Sequence, residues 1–83
     1  MELNDTALLM QSNDYKERFK AEYWQLKIRY ERLCAVLNKA WEGCLTFELS
    51  CPLDLLGAQK VYMESYLHIL EERAEIEGVA LDE

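Results

Sequence analysis

Proline occurs once in this chain, at Pro52, and glycine three times, at Gly43, Gly57 and Gly78. Both residues interrupt regular backbone, so their scarcity leaves long stretches in which helix can propagate. Cysteine is sparse and odd in number: Cys34, Cys44 and Cys51 show neither the spacing of a disulfide scaffold nor a zinc pair. His68 is the single histidine, and no glycine-rich phosphate loop is present. Nine basic residues face sixteen acidic ones, a formal charge of −7, which excludes a general electrostatic footprint on nucleic acid. No apolar run approaches the ~20 residues of a membrane span. Glu2 and Asp5 stand where a signal peptide would be basic. The expected setting is therefore a reducing cytoplasm with free thiols, away from any membrane.

What is abundant is helix former. Residues 15–41 contain no Gly and no Pro, and Phe19, Tyr23, Leu26, Tyr30, Leu33, Leu37 and Trp41 advance by three or four each time. That spacing places them on one stripe of a 3.6-residue helix. Asn13 or Asp14 is expected to cap this helix, and Gly43 to stop it. A second helix opens at Ser50 or Cys51, with Pro52 in the first turn and Asp54 near the N-terminus, and closes at Gly78, where Val79 can fold back. Gly57, inside its first turns, would permit close approach of another backbone.

Between the helices, Leu45, Phe47 and Leu49 alternate with Thr46 and Glu48, a period of two. The segment is an extended loop capping the open end of the hairpin, or else a strand pairing with a symmetry mate. Before the first helix, Asp5 or Thr6 is expected to cap a turn holding Ala7–Met10.

The expected fold is all-α: an N-terminal arm over 1–13, then an antiparallel helical hairpin over 14–80. Its first helix covers about 14–42, its loop 43–51 and its second helix about 52–77. The second helix carries two apolar seams, Leu56, Met63, Leu67, Leu70, Ala74 and Leu55, Tyr62, Tyr66, Ile69, Ile76. One hairpin can bury only one of them. A chain of this size buries only about 60–65% of its unfolded surface. The second seam is therefore expected to meet another copy, giving a helical bundle.

Charge is unevenly spread. Residues 14–42 hold seven basic and five acidic side chains, and residues 50–83 hold two and eight. On the first helix Arg18, Glu22, Gln25, Arg29 and Arg32 form a polar stripe beside the apolar one. It reads either as a charged flank with Arg18–Glu22 pairing or as a binding strip. In the second reading arginine forks at a subunit interface hold phosphate in bidentate fashion, while Tyr and Trp stack a base. The candidate ligand residues are Tyr15, Arg18, Glu22, Tyr23, Gln25 and Arg29. Trp24 faces away from the main stripe and suggests a contact site. His68 lies among Lys60, Glu64, Glu71 and Glu75 on a solvent face, without the Glu–His spacing of a di-iron bundle. No metal, cofactor or catalytic residue is expected, and no enzymatic activity.

The run 14–33, DYKERFKAEYWQLKIRYERL, followed by CPLDLL and YLHILEERAEIEGV, resembles a family of short proteins from phages and prophages of Firmicutes, related to a small protein of crAss-like phages. Tyr15, Arg18, Glu22, Tyr23, Leu26, Arg29 and Leu33 carry the resemblance on the first helix. Cys51, Pro52, Leu55 and Leu56 carry it at the start of the second, and Glu77 and Gly78 at its end. The resemblance implies a helical hairpin, a phage origin and a place in the cytoplasm of an infected bacterium. It implies no activity.

Small accessory phage proteins are often counter-defence factors, and two mechanisms fit the residues. One is a homo-oligomeric sponge that sequesters a nucleotide immune signal, a cyclic ADP-ribose or a cyclic dinucleotide. The other is an acidic inhibitor that docks on a host defence enzyme, in the manner of an anti-CRISPR protein, through Glu64, Glu71, Glu72, Glu75 and Glu77. A structural or regulatory phage protein is a third possibility. The concentration of arginines on the helix richest in aromatics favours the sponge.

Overall fold

The computed structural model describes residues 1–82. Three helices account for most of them: α1 (Leu3–Met10), α2 (Tyr15–Trp41) and α3 (Leu53–Glu77), with no strand among the described residues. The alternating loop 44–50 has therefore not become a strand; Leu45 and Leu49 are half-buried and Phe47 is exposed.

The arm before the hairpin is more ordered than a turn. It forms a helix of eight residues that begins at Leu3, and its cap is Glu2 rather than Asp5 or Thr6. The Glu2 amide donates to the Asp5 carboxylate at 3.0 Å, so Asp5 acts from inside the first turn. Thr6 is wholly buried, with its hydroxyl donating to the Leu3 carbonyl at 2.6 Å. A buried threonine so satisfied costs little.

Asp14 caps α2 by accepting from the Lys16 amide at 2.9 Å. At the other end Gly43 takes φ +74°, and the Cys44 amide reaches back to the Lys39 carbonyl at 2.8 Å. That left-handed turn closes the orphan carbonyls of a helix end and favours glycine. Pro52 itself occupies the cap position of α3, with φ −60° and ψ 144°. Gly78 ends α3 at φ +72°, and the Val79 amide donates to the Ala74 carbonyl at 2.9 Å, burying Val79 against the hairpin.

α2 is the central rod. α3 packs antiparallel along one side of it through a core of Phe19, Tyr23, Leu67, Leu70, Ala74 and Val79. α1 packs on another side, where Ala21 is fully buried and Gln25, one turn on, reaches Thr6. Ala21 and Gln25 lie more than a quarter-turn from Phe19 and Tyr23 on a 3.6-residue helix. The radius of gyration, 14.9 Å, exceeds the ~12 Å of a compact chain this long, as the 43 Å long axis requires. An elongated shape leaves apolar surface uncovered. Of the two seams on α3, Leu67, Leu70 and Ala74 are buried, while Leu55, Tyr62, Tyr66, Ile69 and Ile76 are exposed. Gly57 meets no second backbone: a Cβ built there has open space within 4 Å.

Candidate functional site

The polar stripe of α2 is divided between its two neighbours. Arg18 Nη1 donates to the Ser12 carbonyl at 2.8 Å, and Gln25 Nε2 donates to the Thr6 hydroxyl at 3.5 Å. Both side chains thus fasten α1 and the 11–14 connection onto α2. Arg18 and Glu22 do not pair with each other; Glu22 accepts instead from the Tyr66 hydroxyl of α3. A phenol at a carboxylate outcompetes the intrahelical pair here, since exposed pairs one turn apart contribute only a few tenths of a kcal/mol.

The aromatic residues are also engaged within the chain. Tyr15 donates to Glu77 Oε1 at 2.7 Å and accepts from Arg73 Nη2 at 2.9 Å, while Arg73 Nε binds Glu77 Oε2 at 3.1 Å. The Arg73 guanidinium lies 4.9 Å from the centroid of Phe19. This closed triangle joins the start of α2 to the end of α3. It holds the Glu77 carboxyl below the ordinary range, first through the Tyr15 bond and then through Arg73. The same bond raises Tyr15. Tyr23 is buried and donates to Glu71 at 3.0 Å; burial raises its pKa first and Glu71 second.

Trp24, which looked like an outward contact, is covered by the chain's own C-terminal segment. Its indole Nε1 donates to the Leu81 carbonyl at 2.7 Å, and the Lys27 ammonium stands 5.2 Å from its ring. The sequence signal that would have revealed this is Leu81, an apolar residue three past the helix-ending Gly78.

Two arginines remain uncommitted. Among the described residues neither Arg29 nor Arg32 has a hydrogen-bond or ion-pair partner, and both are exposed. They lie three residues apart on consecutive turns of α2, so their guanidinium groups project from adjoining positions. Arg32 also borders a cavity of about 430 Å³ between α2 and the start of α1, lined by Met1, Glu2, Ile28, Glu31, Arg32 and Ala35. The volume lies within the ~300–1,000 Å³ of small-molecule sites. Its lining combines Met1, Ile28 and Ala35 with one guanidinium and two carboxylates. Ile28 and Ala35 share a face with Arg32, an arrangement visible only once α1 is known to lie across it.

Of the six residues expected to form a binding strip, Arg29 is the one left open. Tyr15 and Glu22 turn toward α3, Tyr23 lies in the core, and Arg18 and Gln25 hold α1. Arg32, Ile28 and Glu31 were not among the six.

Compared with known families, residues 13–76 match the family described as Sequestin, more than three-quarters of the chain. The match takes in α2, the loop and nearly all of α3, and leaves α1 outside. No curated protein and no solved structure matches the chain.

Proposed function

The chain belongs to the Sequestin family, and from that premise we propose a non-enzymatic, homo-oligomeric sponge that holds a nucleotide signal of the cyclic ADP-ribose or cyclic dinucleotide type. The family description itself denotes sequestering, and the resemblance to phage and prophage proteins supplies the setting, counter-defence in the cytoplasm of an infected bacterium. The observation that carries this reading is the uncommitted pair Arg29 and Arg32, the second of which lines a cavity of nucleotide size. In a chain of net charge −7, two adjacent guanidinium groups without carboxylate partners are set up for an anion from outside. Forked donors of this kind suit a phosphodiester. Ile28 and Ala35 offer an apolar bed for a base, and Glu2 and Glu31 can accept from a ribose hydroxyl or an exocyclic amine.

Sequestration asks for affinity and copy number, not for bond breaking. A site made of arginine forks beside the apolar side chains Ile28 and Ala35, without a general base placed among apolar neighbours, fits that demand. The test is retention. The purified protein is incubated with cyclic ADP-ribose or a cyclic dinucleotide, freed of unbound ligand and denatured by heat; the released nucleotide is then assayed. Retention in the wild type, lost in the Arg29→Ala/Arg32→Ala double variant with helix content unchanged, is expected. No retention of either class overturns the reading.

A second reading rests on the exposed carboxylates Glu64, Glu72 and Glu75 of α3; Glu72 and Glu75 have no partner among the described residues, and Glu64 faces the Tyr30 hydroxyl. They would let the protein dock on a basic surface of a host defence enzyme. Charge reversal at these three positions would then abolish inhibition of that enzyme and leave nucleotide retention intact.

A further inference from the structure

Leu55, Tyr62, Ile69 and Ile76 of α3 stand in solvent, from 56% to 84% exposed. They recur every seven residues, the spacing of a coiled-coil seam. Ala58, Ser65 and Glu72 lie between them on the same face, Glu72 at its acidic end, and Glu64 and Glu71 fall on the opposite one. With Tyr66 included, the exposed side chains of this stripe offer roughly 600 Å² of surface, close to the ~800 Å² that each partner gives to a standard interface.

We propose that this stripe pairs with the same stripe of a second copy, the two α3 helices running antiparallel about a twofold axis beside Ser65 and Tyr66. Under that one rotation Leu55 meets Ile76 and Tyr62 meets Ile69, so a single operation matches all four positions. Charge selects the direction. Residues 53–60 hold Asp54 and Lys60 and are neutral, while residues 71–77 hold four glutamates and Arg73, a balance of −3. A parallel pair sets −3 against −3; an antiparallel pair sets each acidic end against a neutral one.

The choice of α3 has a consequence for the site. α1 lies on the side of α2 away from α3's packing, so the cavity and Arg32 fall outside the join between copies. Each chain then holds its own cavity and Arg32, and a dimer carries two that fill independently. This part rests on the sequestration reading above; the seam does not.

Sedimentation equilibrium of the full chain tests both. The wild type is expected to be a dimer at micromolar concentration. Tyr62→Lys and Ile69→Glu are each expected to be monomeric with helix content unchanged by circular dichroism. Mixed, the two are expected to form a dimer again, because only the antiparallel register sets the new lysine against the new glutamate. A monomeric wild type, single variants of wild-type size, or a mixture that stays monomeric each overturns the seam. The monomeric variants are expected to retain a cyclic dinucleotide at one per chain; loss of retention on monomerisation overturns the placement of the sites. A wild type that dimerises and retains no nucleotide overturns sequestration and leaves the seam standing.

Discussion

The Tyr15 hydroxyl and the Glu77 carboxylate meet at 2.7 Å across 62 residues of chain, joining the first turn of α2 to the last turn of α3. Arg73 completes the triangle from the turn before Glu77. The contact closes the hairpin where its core is densest and makes the fold sensitive to acid. Glu77 has its folded pKa lowered, by the Tyr15 bond first and by Arg73 next. Its contribution is present above the ordinary carboxylate pKa and lost as pH falls through the lowered folded value. Glu77→Gln should therefore narrow the stability difference between neutral pH and about pH 3, measured by urea unfolding monitored by circular dichroism. An unchanged difference would remove Glu77 from the account.

At the alkaline end four tyrosines act together. Tyr15, Tyr23 and Tyr66 are raised, by Glu77, by burial and by Glu22 respectively as the first cause, and Tyr30 is pushed up to about 12 by its bond to Cys34, by burial and by Glu64. A raised folded pKa favours the neutral phenol in the native state. The unfolded chain then releases protons near pH 10 while the folded chain does not, and stability falls between about pH 10 and pH 12. Ultraviolet titration of tyrosinate should show most phenols ionising only as the helical signal is lost. Cys34→Ala should lower the Tyr30 midpoint. A tyrosinate curve complete before any helix is lost would contradict this.

Leu70 is fully buried in the core between α2 and α3. Leu70→Ala should cost about 2–5 kcal/mol, which in a small domain of about 5 kcal/mol or more removes much of the stability. Ile69→Ala, one residue away and 56% exposed, should cost well under half as much in a monomeric variant. Chemical denaturation of the pair separates the buried seam from the exposed one.

Gly57 lies inside α3 at ordinary helical φ, and a Cβ there meets nothing within 4 Å. Gly57→Ala should stabilise the chain by up to ~1 kcal/mol, raising the melting temperature by roughly 4–8 °C. No gain, or a loss, would show that another backbone occupies that space in solution.

Much of the architecture was legible in the residues. Glycines at 43 and 78 stop their helices because both take the left-handed conformation that L side chains resist. The two seams of α3 could be told apart by their spacing, although nothing local says which faces α2. The N-terminal helix was harder to see. Its cap is Glu2, an unusual choice, and its anchor is Thr6, a polar residue whose burial depends on a bond back to its own helix and on Ala21 beneath it. Pro52 sits one position earlier in its helix than a first-turn proline would, since its fixed φ also serves a cap.

The candidate site was legible only in part, and the reason is that periodicity gives a direction around a helix but not the neighbour met there. Arg18, Gln25 and Arg32 were visibly on one stripe, yet whether that stripe faced solvent, a second copy or the chain's own beginning depends on α1, a helix of only eight residues, too short for spacing alone to declare it. Trp24 looked outward by the same logic until the C-terminal segment folded over it.

The order of residues by itself determined three things: long helices, their stops, and more apolar surface on α3 than one hairpin can cover. These follow from local backbone preference and from 3.6-residue repetition, both of which act within a few turns. Tertiary structure alone decided which arginines stayed open. Arg18 is spent on the Ser12 carbonyl and Arg29 and Arg32 are not, because where a side chain finds its partner depends on how segments distant in sequence cross.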